Sequence, residues 1–168
     1  MAAHEPDGTT TGAFSTPLAA QEHDHRTAPA EKLGTVRFSN SCGSAAQPAF
    51  TRAVALLHSF DFGRAVDGFN AALKADPSCA MAQWGIALSR WGNPFAAGLR
   101  PASQLQLGQQ AIAAANAPAA KTERERGYIA AAAQLYADYE RRSQSDRVKA
   151  YRDAMAGLAA RYPADEEA

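Results

Sequence analysis

Apolar residues recur along this chain at i, i+3, i+4 and i+7, and one such set returns 34 positions later. Phe50, Ala53, Val54 and Leu57 are answered by Trp84, Ala87, Leu88 and Trp91. The spacing puts apolar side chains on one face of a helix. Its return at a period of 34 predicts stacked helical hairpins. Such arrays build extended binding surfaces more often than pockets for chemistry.

The same pattern organises the rest of the chain. Residues 1–31 carry Gly, Pro, Thr, His and Asp with few bulky side chains and read as a disordered leader. Leu33 to Phe38 alternates apolar and polar positions, as a short extended segment does. With no second strand signal to pair with, residues 32–44 are expected to lie against the first helix, inserting Val36 and Phe38. Ser41-Cys42-Gly43-Ser44 supplies cap chemistry, and a helix is expected from Ala45 to about Ser59. Asp61 turns the chain, and the second helix covers Phe62–Ala75. It stops at Asp76-Pro77, because proline disfavours helix at the residue before it. Further helices are expected over Cys79–Trp91, Ala102–Ala115, Ala119–Arg141 and Asp146–Tyr162. Breaks fall at Gly92-Asn93-Pro94, Asn116 with Pro118, and Pro163. Six helices and no strand pair predict an all-α protein.

The spacing resembles that of the tetratricopeptide repeat (TPR) family, whose unit follows W-x2-L-G-x2-Y, then A-x3-F, then P. In a first unit, 45–77, Phe50, Ala53, Val54 and Leu57 stand for the first helix. Ala65-x3-Phe69, Ala72 and Pro77 stand for the second. A second unit, 78–118, opens on Trp84, Ala87, Leu88 and Trp91, but about seven residues are inserted around Gly92–Pro101, since Pro118 lies 41 positions after Pro77. A third, 119–163, recovers the pattern with Tyr128, Ala131, Ala132, Leu135, Tyr151, Met155, Leu158 and Pro163. Residues 163–168 read as the start of a fourth, truncated unit. The expectation is a fragment of a longer array, or a short protein that self-associates through its uncapped C-terminal end. The runs LGTVRFSNSC, ALLHSF, DPSCAMAQWG and RERGYIAA are more narrowly similar to a group of uncharacterised exported bacterial TPR proteins.

The resemblance implies an α-solenoid of about three hairpins that binds a protein or peptide on the concave face of its first helices. Carried over position by position, that groove comprises Thr51, Ala55 and His58, then Gly85, Ser89 and Asn93, then Ile129, Ala133 and Tyr136. The groove is small and nearly neutral, so an apolar or extended segment suits it better than a terminal carboxylate, and the chain's own Leu33–Phe38 competes for it. Two other readings stand beside this scaffold: part of a longer metal-handling or enzymatic exported protein, and a self-assembly module.

Composition narrows the partners. Apolar residues make up 46% of the chain, but much of that is alanine, which favours helix and adds little burial. Lys+Arg and Asp+Glu both total 17, for a net charge of +0, so no global field draws nucleic acid or an anionic membrane. No apolar run is long enough to span a bilayer. Met1–Ala30 lacks the apolar core of a signal peptide, while Ser15–Gln21 looks like the small-residue end of one, which leaves the compartment open.

Cys42 and Cys79 are too few for a structural zinc site. They sit at or just before first-helix starts of successive units, which leaves a disulfide and two buried thiols both open. A disulfide would contribute about 3–4 kcal/mol. The resemblance to exported proteins implies the disulfide, and with it an exported protein.

His23-Asp24-His25, with Glu22 and His4, offers a flexible chelate for a divalent metal, although such leaders are more often solvated linkers. Phe60, Phe62, Trp84, Trp91 and Phe95 would line an aromatic pocket only if the Gly92–Pro101 loop opened; at helical spacing they are more often core. His58-Ser59 lacks a G-x-S-x-G elbow and reads as a helix end. Neither 121–126 nor 140–142 makes a basic stripe, since both mix signs. No phosphate loop, dinucleotide fingerprint or HExxH is present, so no catalytic residue and no cofactor are expected.

Overall fold

Proline, glycine and short polar caps cut the chain into helices much where the sequence places them. The computed structural model describes residues 33–117 and 122–168; the leader, with His23 and His25, lies outside the described residues. A 3-10 turn at Ser44–Ala46 leads into α1 (Gln47–His58), which Pro48 opens at a position that needs no N–H. Next come α2 (Phe62–Ala75) and α3 (Ala80–Trp91), then α4 (Ala102–Asn116), α5 (Glu123–Gln134) and α6 (Gln144–Arg161). The protein is all-α, with no strand among the described residues.

The caps are explicit. Asp61 accepts from the Arg64 N–H to start α2, and Ser143 accepts from that of Asp146 to start α6. Thr122 and Glu125 form a reciprocal capping box on α5. Gly92, at φ 76°, ends α3 in a conformation that suits a residue without Cβ.

Each helix packs on its successor in the first four, α5 packs on α6, and α3 also meets α1 and α5. Small residues allow the close crossings. A Cβ on Gly68 would lie 2.9 Å from that of Ala53, so α1 and α2 approach almost backbone to backbone. Ala53, Ala65 and Ala72 are fully buried around the Phe50–Phe69 ring pair.

The extended segment does more than lie on the first helix. Phe38, 6% exposed, places its ring 5.7 Å from Phe50 of α1, 5.2 Å from Trp84 of α3 and 5.3 Å from Tyr128 of α5. These three are the aromatic residues that open the three sequence units. Cys42 is joined to Cys79 by a disulfide with Cα atoms 4.7 Å apart, tying the segment to the start of α3. The buried Glu125 carboxylate accepts from the backbone and hydroxyl of Ser41 (2.6 and 2.8 Å) and from those of Thr122 (3.1 and 2.9 Å). Asp76 accepts from the Gly43 N–H at 2.7 Å. Residues 38–43 are thus fastened to the end of α2, the start of α3 and the start of α5.

The fifth helix differs most from its sequence expectation of Ala119–Arg141. The Thr122 cap sets its start, and residues 135–141 turn instead of continuing it. Asp138 adopts φ 53°, and its carbonyl accepts from the N–H groups of Arg141 and Arg142. The Tyr136 hydroxyl donates to the Ala87 carbonyl, with the ring against Trp91. Tertiary contacts of Leu135 and Tyr136 override the helical propensity of the stretch.

Phe38→Ala should destabilise the fold by about 3–5 kcal/mol, because one ring serves three helices. Urea titration reads this directly, and a loss below about 1 kcal/mol would show that the three helices pack without it. Reducing Cys42–Cys79 should cost about 3–4 kcal/mol for a separation of 37 residues. The Cys42→Ala, Cys79→Ala double variant, already lacking the bond, should show no further loss in reductant.

Candidate functional site

The nine positions that the resemblance assigns to a groove do not form an open surface. Ala55, Gly85, Ser89, Ile129 and Tyr136 are buried, Thr51 and Ala133 are half-buried, and only His58 and Asn93 are exposed. The reasons are local. Gly85 faces α2, where a Cβ would lie 2.2 Å from the Phe69 ring. The Ser89 hydroxyl turns back to donate to the Gly85 carbonyl at 2.8 Å. Tyr136 lies just past Leu135, the C-cap of α5, and enters the core, its ring filling the space that a side chain at Gly108 would need. Ile129 belongs to the central apolar cluster.

Two segments of the chain itself approach the remaining positions. Leu33–Val36 border the same shallow hollow as Thr51 and Ala55, with Gln47, Pro48 and Arg52 completing its lining. The His58 imidazole lies 3.2 Å from the Glu167 carboxylate. Tyr162 and Ala168 pack against the core, and Asp165 enters a network that joins both segments to α5. Arg124 donates to Asp165 through Nε at 2.5 Å and Nη2 at 2.8 Å, and through Nη1 to the Ser39 carbonyl at 2.7 Å. The Tyr128 hydroxyl donates to the same carboxylate at 2.8 Å. The Arg124 guanidinium also lies 4.8 Å above the Phe38 ring and 4.9 Å above that of Tyr128.

The electrostatics follow from this geometry. Hydrogen bonding to Arg124 holds the Asp165 carboxyl below the usual carboxylate range, against the opposing effect of burial. Burial, reinforced by Asp165, raises the Tyr128 phenol far above its ordinary value. The Arg124 guanidinium is raised in turn by its bond to Asp165.

The aromatic candidates separate into two groups. Trp84 and Trp91 are core residues. Phe60, Phe62 and Phe95 gather at the surface, where the α1–α2 turn meets the loop after α3. Ring centroids lie 5.9 Å apart for Phe60–Phe62 and 6.4 Å apart for Phe60–Phe95. Phe60 is 50% exposed, Phe95 84% and Leu99 83%. Phe60 also occupies the left-handed region, at φ 60°. The Asp61 N–H reaches the Leu56 carbonyl and the Phe60 N–H that of Leu57, a Schellman ending with phenylalanine where glycine is usual. That conformation costs a bulky residue about 1–2 kcal/mol. Sequence reading missed this feature, although the absence of glycine between α1 and α2 was its visible sign.

Ser59 Oγ donates to the Ala55 carbonyl at 2.8 Å, and the residue serves as the C-cap of α1. Among the described residues no group of three or more His, Cys, Asp or Glu side chains is placed to hold a metal ion, and no helix is long and apolar enough to cross a membrane.

The Asp165 carboxylate is favoured by the fold, so its stabilisation is complete above the unfolded carboxylate pKa of about 3.9 and is lost as pH falls through the lower folded value. Asp165→Asn should therefore lower stability at pH 7 by about 1–3 kcal/mol and flatten the decline below about pH 4. Denaturant titrations across that range give the comparison; parallel acid limbs for the two proteins would remove Asp165 from the acid response.

Comparison with known proteins adds no relative to this geometry: no family model, curated protein or solved structure matches the chain.

Proposed function

We propose that this chain is a TPR-type interaction module that binds a partner protein or peptide through the aromatic corner of Phe60, Phe62 and Phe95. The period of 34 and the meeting of Phe50, Trp84 and Tyr128 on one ring support the repeat reading. The conformation of Phe60 carries the choice of surface. Glycine at the end of α1 would make the same turn without strain, yet the sequence places a large ring there and leaves half of it in water. Exposed apolar patches of this kind mark interaction sites on soluble domains.

The corner also has the polar rim common at interfaces. Asp61, Arg64, Asp67, Arg90 and Gln104 line a hollow of about 570 Å³ beside Phe62. A partner side chain that is apolar and flanked by groups of both signs fits this setting. The partner surface therefore moves away from the first-helix face, where the chain's own segments already lie.

A photo-crosslinking residue at position 95, in cells that make the protein, should yield one defined adduct that identifies the partner by mass. Phe60→Gly should remove that adduct while leaving the protein as stable as before or more so, since relief of about 1 kcal/mol of strain offsets the lost ring contacts. No adduct from position 95 would sink the assignment. An adduct only with a second copy of the chain would turn the reading to self-assembly.

A further inference from the structure

We propose that Arg124, Tyr128 and His58 form a docking site for an extended acidic segment of a partner protein, and that residues 163–168 of the chain itself lie in that site as a displaceable strap. The site shares no residue with the aromatic corner, so either reading can fail without the other.

The strap follows α6. Tyr162 closes that helix, Pro163 disfavours its continuation, and Asp165, Glu166 and Glu167 place three acids in a row. The N–H groups of Asp165 and Ala168 bond locally, to the carbonyls of Tyr162 and Asp165. The polar anchors on the helices are side chains. The Asp165 carboxylate accepts from Arg124 Nε at 2.5 Å, Arg124 Nη2 at 2.8 Å and the Tyr128 hydroxyl at 2.8 Å, and Glu167 lies 3.2 Å from His58. None of these contacts depends on the covalent link through Pro163. A carboxylate on another chain can take the same three donors, two of them on one guanidinium fork.

The receiving groups are set independently of the strap. Arg124 stands on the first turn of α5, whose start Thr122 and Glu125 cap. Its Nη1 donates to the Ser39 carbonyl at 2.7 Å, and its guanidinium lies over the Phe38 and Tyr128 rings. Tyr128 is 1% exposed, with its ring packed against Phe38 and Trp84. These contacts hold the donors in place without Asp165, and such preorganisation is what lets a surface bind a short segment.

Two more cations border the strap. Arg37 and Arg161, both exposed, line the same hollow of about 640 Å³ as Arg124, Asp165 and Glu166. Among the described residues no carboxylate forms an ion pair with either. The strap therefore matches the sign of the surface but leaves part of its charge unanswered. A partner segment whose acids reach Arg37 and Arg161 gains pairs that the strap does not make. That surplus lets it compete with a tethered segment, whose effective concentration is on the order of millimolar.

A fluorescently labelled heptapeptide copying residues 162–168 is the probe, and polarisation at low salt the readout. The Asp165→Asn, Glu167→Gln double variant, whose own strap is weakened, should bind it about tenfold or more tighter than the wild type. Arg124→Gln added to that variant should abolish the gain, and Phe60→Gly added to it should leave the gain unchanged. Equal binding to wild type and double variant would overturn the proposal, as would a gain that survives Arg124→Gln or is lost with Phe60→Gly. If the double variant does not fold, Glu167→Gln alone decides: it frees His58 without touching Arg124 and should tighten binding by about twofold or more. Unchanged affinity there would count equally against the strap.

Discussion

The Phe38 ring is the contact on which the arrangement of the helices depends. Helical hairpins bury little apolar surface alone, and alanine-rich ones bury less. Here a residue from outside the helices reaches the opening aromatic of each unit, at Phe50, Trp84 and Tyr128. Aromatic pairs at 5–6 Å contribute about 0.5–1.5 kcal/mol each beyond their buried area. The polar residues after Phe38 protect that contact. Cys42, Gly43 and Ser41 fasten it at three separate places, and Arg124 closes it from above.

Much of the helical framework was legible because the chain punctuates it. The span Phe62–Ala75 could be read between Asp61 and Asp76-Pro77, and the end of α3 from Gly92. The early end of α5 was not legible: residues 135–141 hold good helix formers, and only the burial of Tyr136 against Trp91 and Gly108 decides their path. Thiol spacing alone left Cys42 and Cys79 open, whereas the structure joins them.

The site was harder to read than the fold. Groove positions carried over from a repeat assume that every first helix runs its full length and that nothing lies on its face. Gly85 has no side chain to present, Tyr136 comes after its helix has ended, and Leu33–Val36 border Thr51 and Ala55. The features that stand out are a phenylalanine in a glycine conformation and an aspartate folded back onto Arg124 and Tyr128. Neither is a spacing pattern. Phe60 betrays itself only through the turn geometry, and Asp165 meets Arg124 from a segment whose path the sequence does not give.

The disulfide also changes how far apart the key contacts are along the covalent structure. Phe38 and Trp84 stand 46 residues apart by sequence, a long loop to close before their rings can meet. Through Cys42–Cys79 the path runs from Phe38 to Cys42 and from Cys79 to Trp84, roughly a fifth of that distance. At about 0.6 kcal/mol per doubling of loop length, the shorter path lowers the entropic cost of that encounter by more than about 1 kcal/mol. A distant pairing becomes nearly a local one, and local pairings form fast. In the oxidised chain, Phe38 and the start of α3 can act as an early folding nucleus onto which the hairpin between the two cysteines closes as a ring.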